Sequence, residues 1–213
     1  MVGAGTGIYL LTDCVRLLGE PRETVREWTT KGLAPSRAKG QRVGPAYYTF
    51  LDLVSLYVVS ELRRRGIPLQ RIRKAEQYLR DRTQSRRPLA TEHLYTDGRD
   101  IFIHLAEEEG EEHLVAASRG GQGAIEEAFQ AVLRSIVYEH GTAAQWNPWD
   151  GVALRPDRQF GAPCVVDTGI QTATLYGFIR AGDDLEYVAS LYDLSALQVA
   201  HAVAWEENLA RRN

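Results

Sequence analysis

Only two cysteines occur in this 213-residue sequence, Cys14 and Cys164, far apart and without a Cys-x-x-Cys pair. That excludes a disulfide framework or a thiolate zinc cluster and fits reduced thiols, so a cytoplasmic location is expected. No run approaches the ~18 apolar residues a membrane span needs. The opening MVGAGTGIYLL lacks the basic start and long apolar core of a signal peptide, so no membrane partner is expected. Five histidines (His93, His104, His113, His140, His201) are scattered, with no His-Glu-x-x-His and no Cys/His cluster. There is no Gly-x-Ser-x-Gly elbow and no phosphate loop ending in Gly-Lys-Ser/Thr. Gly3, Gly5 and Gly7 have dinucleotide-loop spacing but no strand before them, which predicts a loose terminus. The expectation is a protein that is not an enzyme, with no cofactor and no metal.

What is present is an ordinary soluble composition, 44% hydrophobic and 25% charged, long enough for one large domain or two small ones. The net charge of -3 conceals an asymmetry. Residues 1–90 hold 17 Lys+Arg against 8 Asp+Glu, a net +9, whereas residues 91–213 hold 8 against 20, a net -12. A basic half joined to an acidic half implies two partners, one of them polyanionic.

Residues 12–35 have the spacing of a DNA-reading helix-turn-helix. Thr12 is the expected N-cap. Val15 closes the first helix on the second, and Gly19 supplies the turn, where positive φ is needed. Pro21 suits the start of the second helix. In that helix Arg22 and Arg26, four apart, share an exposed face while Val25 and Trp28 turn inward. A basic segment with Arg37, Lys39 and Arg42 among glycines follows, as in a wing that grips the DNA backbone. Thr49 is placed to cap a helix from about Phe50 to Arg65, ended by Gly66. A second, basic helix runs from Pro68 to about Arg82 and suits either backbone contact or solvent.

The order helix-turn-helix, Lys31-Gly32-Leu33-x-Pro35, basic wing, Tyr48-Thr49-x-x-Asp52-Leu53, long helix, then Arg65-Gly66-Ile67-Pro68-Leu69 resembles the N-terminal domain of MerR-type regulators. The resemblance implies operator DNA as a partner and a DNA-contacting set of Arg22, Arg26, Arg37, Lys39, Arg42 and Tyr48. MerR-type wings usually carry an arginine just before the tyrosine pair, where this chain has Ala46.

From Leu89 the pattern changes. Alternation in HLYTDGRDIFIHL around Asp97-Gly98 predicts a β-hairpin, and His113 to Ala117 a third strand. The acidic run from Glu107 to Glu112 has no histidine at ligand spacing and is expected to be a solvated loop. Gly120-Gly121-Gln122 resembles the tripeptide with which release factors position a hydrolytic water. The rest of that pattern is absent, so a turn is expected, leading into a helix from Ala124 to Leu133. Arg134 to Glu139 and Thr142 to Trp146 form a further hairpin about His140-Gly141.

The final third matches at Phe160-Gly161-x-Pro163, Val166, Thr168, the Thr172–Ile179 helix, Gly182, Leu185, Val188-Ala189, Tyr192, Leu194-Ser195 and Gln198-Val199. There it resembles the domain-of-unknown-function family 433, often the C-terminal half of VapB-like antitoxins. Where that family reads Gly-Thr-Arg, this chain reads Asp167-Thr168-Gly169, so the arginine's role is lost or moved to Arg180. Physically the tail is three helices, with Asp183 or Asp184 and Ser195 as caps. Ala189, Asp193 and Val199 repeat the spacing of Val15, Gly19 and Val25. The exposed part of the last helix offers Ala196, Leu197, Gln198 and His201 but no cation before Arg211, so its expected job is protein contact rather than DNA reading.

The expected fold is mostly α with small β elements (α+β). It divides into a winged helix-turn-helix over 1–87, a β-rich connector over 88–150 and a three-helix, homeodomain-like domain over 151–213. The resemblances imply a dimeric antitoxin that binds operator DNA and silences a PIN-domain ribonuclease. Leu197, His201, Trp205 and Leu209 are expected to line the partner face, although packing within their own domain competes for Leu197 and Trp205. Arg211 or Arg212 would reach the nuclease's carboxylates. The alternative is a MerR-like regulator that senses a small ligand.

Overall fold

The computed structural model describes residues 7–33, 47–94, 98, 100–102 and 124–212. The wing cations Arg37, Lys39 and Arg42, the Ala46 departure, the strand expected at 113–117, the acidic run and the Gly-Gly-Gln tripeptide lie outside them. So do Gly3 and Gly5. Gly7 is buried, and a Cβ there would meet Tyr9 at 3.1 Å, so this glycine belongs to the core rather than a loose end.

Strand β1 (Tyr9–Leu10) leads directly into α1 (Leu11–Leu18). The N-cap is Leu10 rather than Thr12, because the Leu10 N–H donates to Asp13 Oδ2 at 2.7 Å and the helix starts two residues early. Gly19 ends α1 at φ 66, its N–H donating to Val15 O at 2.9 Å. After this turn comes α2 (Arg22–Thr30), with Pro21 at its N-cap. Strand β2 (Tyr47–Tyr48) pairs antiparallel with β1, Tyr9 opposite Tyr48.

Helix α3 (Phe50–Arg64) is the central element. Thr49 and Asp52 cap it reciprocally: Asp52 Oδ2 accepts from the Thr49 N–H at 2.8 Å, and Thr49 Oγ1 accepts from the Asp52 N–H at 3.3 Å. Asp52, fully buried, also accepts from Arg87 Nε, which ties the segment after α4 (Leu69–Thr83) back onto the start of α3. Leu53, Leu56 and Ser60 are all fully buried along one stripe of α3.

The hairpin expected around Asp97-Gly98 does not form among the described residues. His93, Leu94, Gly98 and 100–102 are helical. Leu94 and Phe102 are buried with Gly98 midway, a four-residue recurrence that sets one helical face against Phe129. The short alternation was outweighed by this longer period. Helix α5 (Ala124–Ser135) follows, then β3 (Ile136–Glu139) and β4 (Thr142–Trp149). Their turn is the expected one, with His140 at φ 51 and Gly141 at φ 79, the two positive values of a type I′ hairpin.

Strands β5 (Val152–Leu154) and β6 (Cys164–Val165) complete a four-stranded antiparallel sheet in the order β3-β4-β5-β6, so the sheet runs across residue 150. Helices α6 (Thr172–Ala181), α7 (Leu185–Leu191) and α8 (Ala196–Arg211) form the three-helix tail. Asp184 caps α7, accepting from the Glu186 N–H at 2.9 Å, and Ser195 caps α8, accepting from the Gln198 N–H at 3.3 Å. Asp193, at φ 53, stands where Gly19 stands in the first helix-turn-helix, since aspartate is among the few residues that visit this region.

Two cores result. Val165, Leu175, Val188, Ala189, Val199 and Ala202 form the smaller one. The larger runs from Tyr9 through α1 to α4 and the sheet, and it includes Trp205 and Leu209. Helix α8 therefore serves both: its first half closes the tail, and its second half is built into the N-terminal body.

Candidate nucleic-acid interface and partner face

On α2, Val25 is fully buried and Trp28 is 3% exposed, while Arg22 and Arg26 are exposed on the opposite side. An apolar stripe fixes the helix against α1, and the cations fall outside it by the 3.6-residue period. Arg26 lies 4.0 Å from the Glu23 carboxylate, with both groups largely in solvent, so the pair restrains the guanidinium little. Lys31 pairs with Glu27 at the end of the same helix.

Tyr48 does not join this face. It is 3% exposed and paired with Tyr9 across the two-stranded ribbon. Burial pushes that phenol's pKa upward. Tyr48 thus stabilises the helix-turn-helix from inside, since a side chain packed in the core cannot reach a phosphate. Basic helix α4 is less open than its sequence implied: Arg71 is fully buried and Arg80 is paired with Glu76, leaving Arg73 among its exposed cations.

Among the residues expected to meet a protein partner, Trp205 and Leu209 are 0% and 2% exposed. They are core residues, each worth roughly 1.5–3 kcal/mol in burial, and are not available to a partner. His201 is half-buried against Gly151, where a Cβ would come within 2.6 Å of its Nδ1. Arg212 is engaged by its own chain: Nη1 donates to Leu17 O at 2.8 Å, Nε to Asn208 Oδ1 at 3.2 Å, and the guanidinium lies over the Trp205 ring at 5.7 Å. Leu197, by contrast, is 63% exposed, and Arg211 is exposed beside Glu207. Tyr187 and Leu191, four apart on α7, are also exposed apolar residues and escaped the sequence reading.

The loop that replaces the Gly-Thr-Arg pattern is held by Arg158, whose Nη1 donates to Thr168 O at 3.1 Å. Arg180 instead lies over the Tyr176 ring, away from that role.

The contacts joining the two ends were invisible to local pattern. Arg16 Nη2 donates to Glu206 Oε2 at 3.1 Å, and Thr172 Oγ1 donates to Glu206 Oε1 at 2.5 Å. Tyr9 Oη donates to Gly161 O at 2.8 Å. One signal for the first existed: Glu206 interrupts the apolar positions Ala202, Trp205 and Leu209 on one face of α8, and a lone acid in such a stripe needs a cation.

A MerR-family helix-turn-helix domain thus stands at the N-terminus and a DUF433 domain at the C-terminus. Residues 9–79 match the family described as MerR HTH family regulatory protein, and residues 152–205 the protein of unknown function DUF433. Over 222 residues, 92% of each chain, the protein is 28% identical to one from Mycobacterium tuberculosis H37Rv named "Putative antitoxin VapB45". It is 25% identical to the uncharacterized protein Rv2308 of that organism, over 92% of this chain and 88% of the relative. The crystal structure of Rv2018 from M. tuberculosis superposes with a TM-score of 0.73 at 26% identity, covering 92% of this chain and 96% of the other. No helix among the described residues is long and apolar enough to cross a membrane.

Proposed function

We propose that this protein is the antitoxin of a type II toxin–antitoxin module, which binds its own operator DNA and silences a PIN-domain ribonuclease. The observation that carries the DNA half is the pair Arg22 and Arg26, both exposed on the face of α2 opposite its buried stripe, within a MerR-family helix-turn-helix. In this reading the two guanidinium groups enter the major groove, and Arg37, Lys39 and Arg42 of the wing grip phosphates. A homodimer sets two such helices about one helical turn apart on a palindrome. The antitoxin half draws on the name of the full-length relative and on the exposed apolar residues of the tail.

Function is divided along the chain in the same way: residues 1–87 for DNA, 151–213 for protein, and 88–150 as a connector that shares its sheet with the tail. The partner face is Leu197 with Tyr187 and Leu191, and Arg211 is the cation left to meet the nuclease's carboxylates. The test is gel retention of the promoter fragment upstream of the gene at increasing salt, with co-expression of the neighbouring nuclease gene. Retention that falls steeply with salt and is lost in Arg22→Ala/Arg26→Ala supports the DNA half. Rescue of growth and a complex abolished by Leu197→Asp support the toxin half. Failure of either removes that half.

A second reading, a MerR-like regulator that answers to a small ligand, is favoured by one observation: a cavity where the helix-turn-helix, the connector and the tail meet.

A further inference from the structure

Helix α2 leaves Arg22, Glu23, Arg26, Glu27 and Thr30 exposed. Two of these are carboxylates, on the face that the operator reading turns towards a polyanion. A carboxylate so placed is repelled by every phosphate near it unless a donor meets it. The neighbouring acids already have donors. Asp13 accepts from the Leu10 N–H at 2.7 Å, Glu20 is paired with Arg64 at 3.1 Å, and Glu27 is bound by Lys31. Glu23 differs: its side chain is 80% exposed, and the Arg26 guanidinium at 4.0 Å is beyond hydrogen-bonding distance. Glu23 is the second residue of α2, in the first turn, and the N-terminal residues of a reading helix are the ones that meet base edges. The helix dipole alone accounts for an acid in a first turn, but it predicts no preference among bases.

The major groove offers a carboxylate two base-edge donors, the amino groups at cytosine N4 and adenine N6. Guanine and thymine present acceptors, which repel it. Adenine sets the N7 acceptor beside its amino group, whereas cytosine has no acceptor on that edge. Cytosine is therefore the base that fits Glu23. An arginine fits guanine, through O6 and N7. The 4.0 Å between Arg26 and Glu23 is close to the ~3.4 Å spacing of successive bases, so the two side chains can address one G·C pair or two adjacent ones.

We propose that Glu23 is a specificity-determining residue of the operator complex, its carboxylate accepting from a cytosine N4 amino group beside a guanine read by Arg26. This rests on α2 being the DNA-contacting helix of the proposed function. Each half-site then carries a cytosine paired with, or next to, that guanine.

In the test, the full-length protein and its Glu23→Gln and Glu23→Ala variants each select bound duplexes from a randomised pool. Binding to the wild-type site is then measured with each base in turn at the cytosine position. The wild type is expected to prefer cytosine there by about tenfold or more. Glu23→Gln should move that preference to adenine, whose N6 and N7 match a side-chain amide, and Glu23→Ala should accept all four bases alike. Glu23→Gln keeps the shape of the side chain, so it decides alone if Glu23→Ala weakens the helix. If all three proteins select the same site and differ in affinity alone, Glu23 is a charge at a helix start and the proposal is overturned. A wild-type site without the cytosine overturns it as well. A wild-type protein that selects no sequence at all refutes the operator reading itself, and Glu23 then has no base to read.

Discussion

The Arg16–Glu206 contact joins helix α1 of the DNA-binding part to helix α8 of the tail, and its removal has a calculable cost. Glu206 is 4% exposed and accepts from Arg16 at 3.1 Å and from Thr172 at 2.5 Å. Substituting Arg16→Met leaves the carboxylate buried with one neutral donor, a change worth 3–5 kcal/mol when both partners are inaccessible. The Arg16 side chain is 42% exposed, so water already screens part of the attraction, and about 2 kcal/mol is expected. Glu206→Gln keeps the shape and the Thr172 contact but exchanges a charged hydrogen bond for a neutral one, costing about 1–1.5 kcal/mol. The double variant has no buried unpaired charge, so it should be more stable than the sum of the single losses predicts, with a coupling of about 1 kcal/mol. Urea denaturation of the four proteins measures this, and in a protein of this size each kcal/mol moves Tm by about 2–4 °C. Strict additivity of the two substitutions would refute the bridge as an energetic link between the halves.

Gly161→Ala is expected to cost about 3 kcal/mol, because φ is 86 there and a Cβ would sit 2.1 Å from Tyr9 Oη. Tyr9→Phe should recover part of that loss in thermal denaturation, and no recovery would contradict the steric cause. Cys14 and Cys164 are buried, with thiol pKa values pushed upward chiefly by burial, so both stay protonated well above neutral pH. Iodoacetamide at mildly alkaline pH should therefore label the native protein at least about a hundredfold more slowly than the unfolded chain; fast native labelling would show that the core opens readily. If Arg37, Lys39 and Arg42 of both protomers grip phosphates, replacing all six with alanine should reduce the salt slope of operator binding by about 5; an unchanged slope would move the phosphate contacts off the wing.

Local chemistry was legible where a backbone requirement picked a residue. Gly19 and Asp193 take positive φ as their spacing implied, Thr49, Asp184 and Ser195 cap their helices, and His140-Gly141 makes its hairpin. The N-cap of α1 shifted from Thr12 to Leu10 because the cap chosen was a carboxylate three residues on, not a hydroxyl. Tyr48 and Leu209, expected at surfaces, are core, and so is Trp205, for which packing within the chain competed with a partner face. Each is amphipathic or apolar on a helix or strand with two candidate faces, and only the packing partner decides between them. That partner lies far away in sequence: Tyr9 for Tyr48, and the N-terminal body for Trp205 and Leu209.

The charge excess of the first ninety residues overstates what DNA would meet. Arg64 donates to Leu18 O at the end of α1, where carbonyls lack helical partners, and Arg63 to Ile67 O in the turn between α3 and α4. Arg65 is bound to Glu61, Arg80 to Glu76, Arg87 to Asp52 and Arg16 to Glu206. These cations hold the fold and release few counterions on DNA binding, because they already have fixed partners. Arg22 and Arg26 differ in kind: both are exposed, and the carboxylate beside Arg26, that of Glu23 at 4.0 Å, is itself largely in solvent. The acidic half is likewise not uniformly outward, for Glu206 is turned inward onto the basic half. What makes this molecule bipolar is therefore not the two sums but the charges left outside these bridges, which among the described residues include Arg22 and Arg26 on α2, Arg73 on α4 and, at the acidic end, Glu186 on α7.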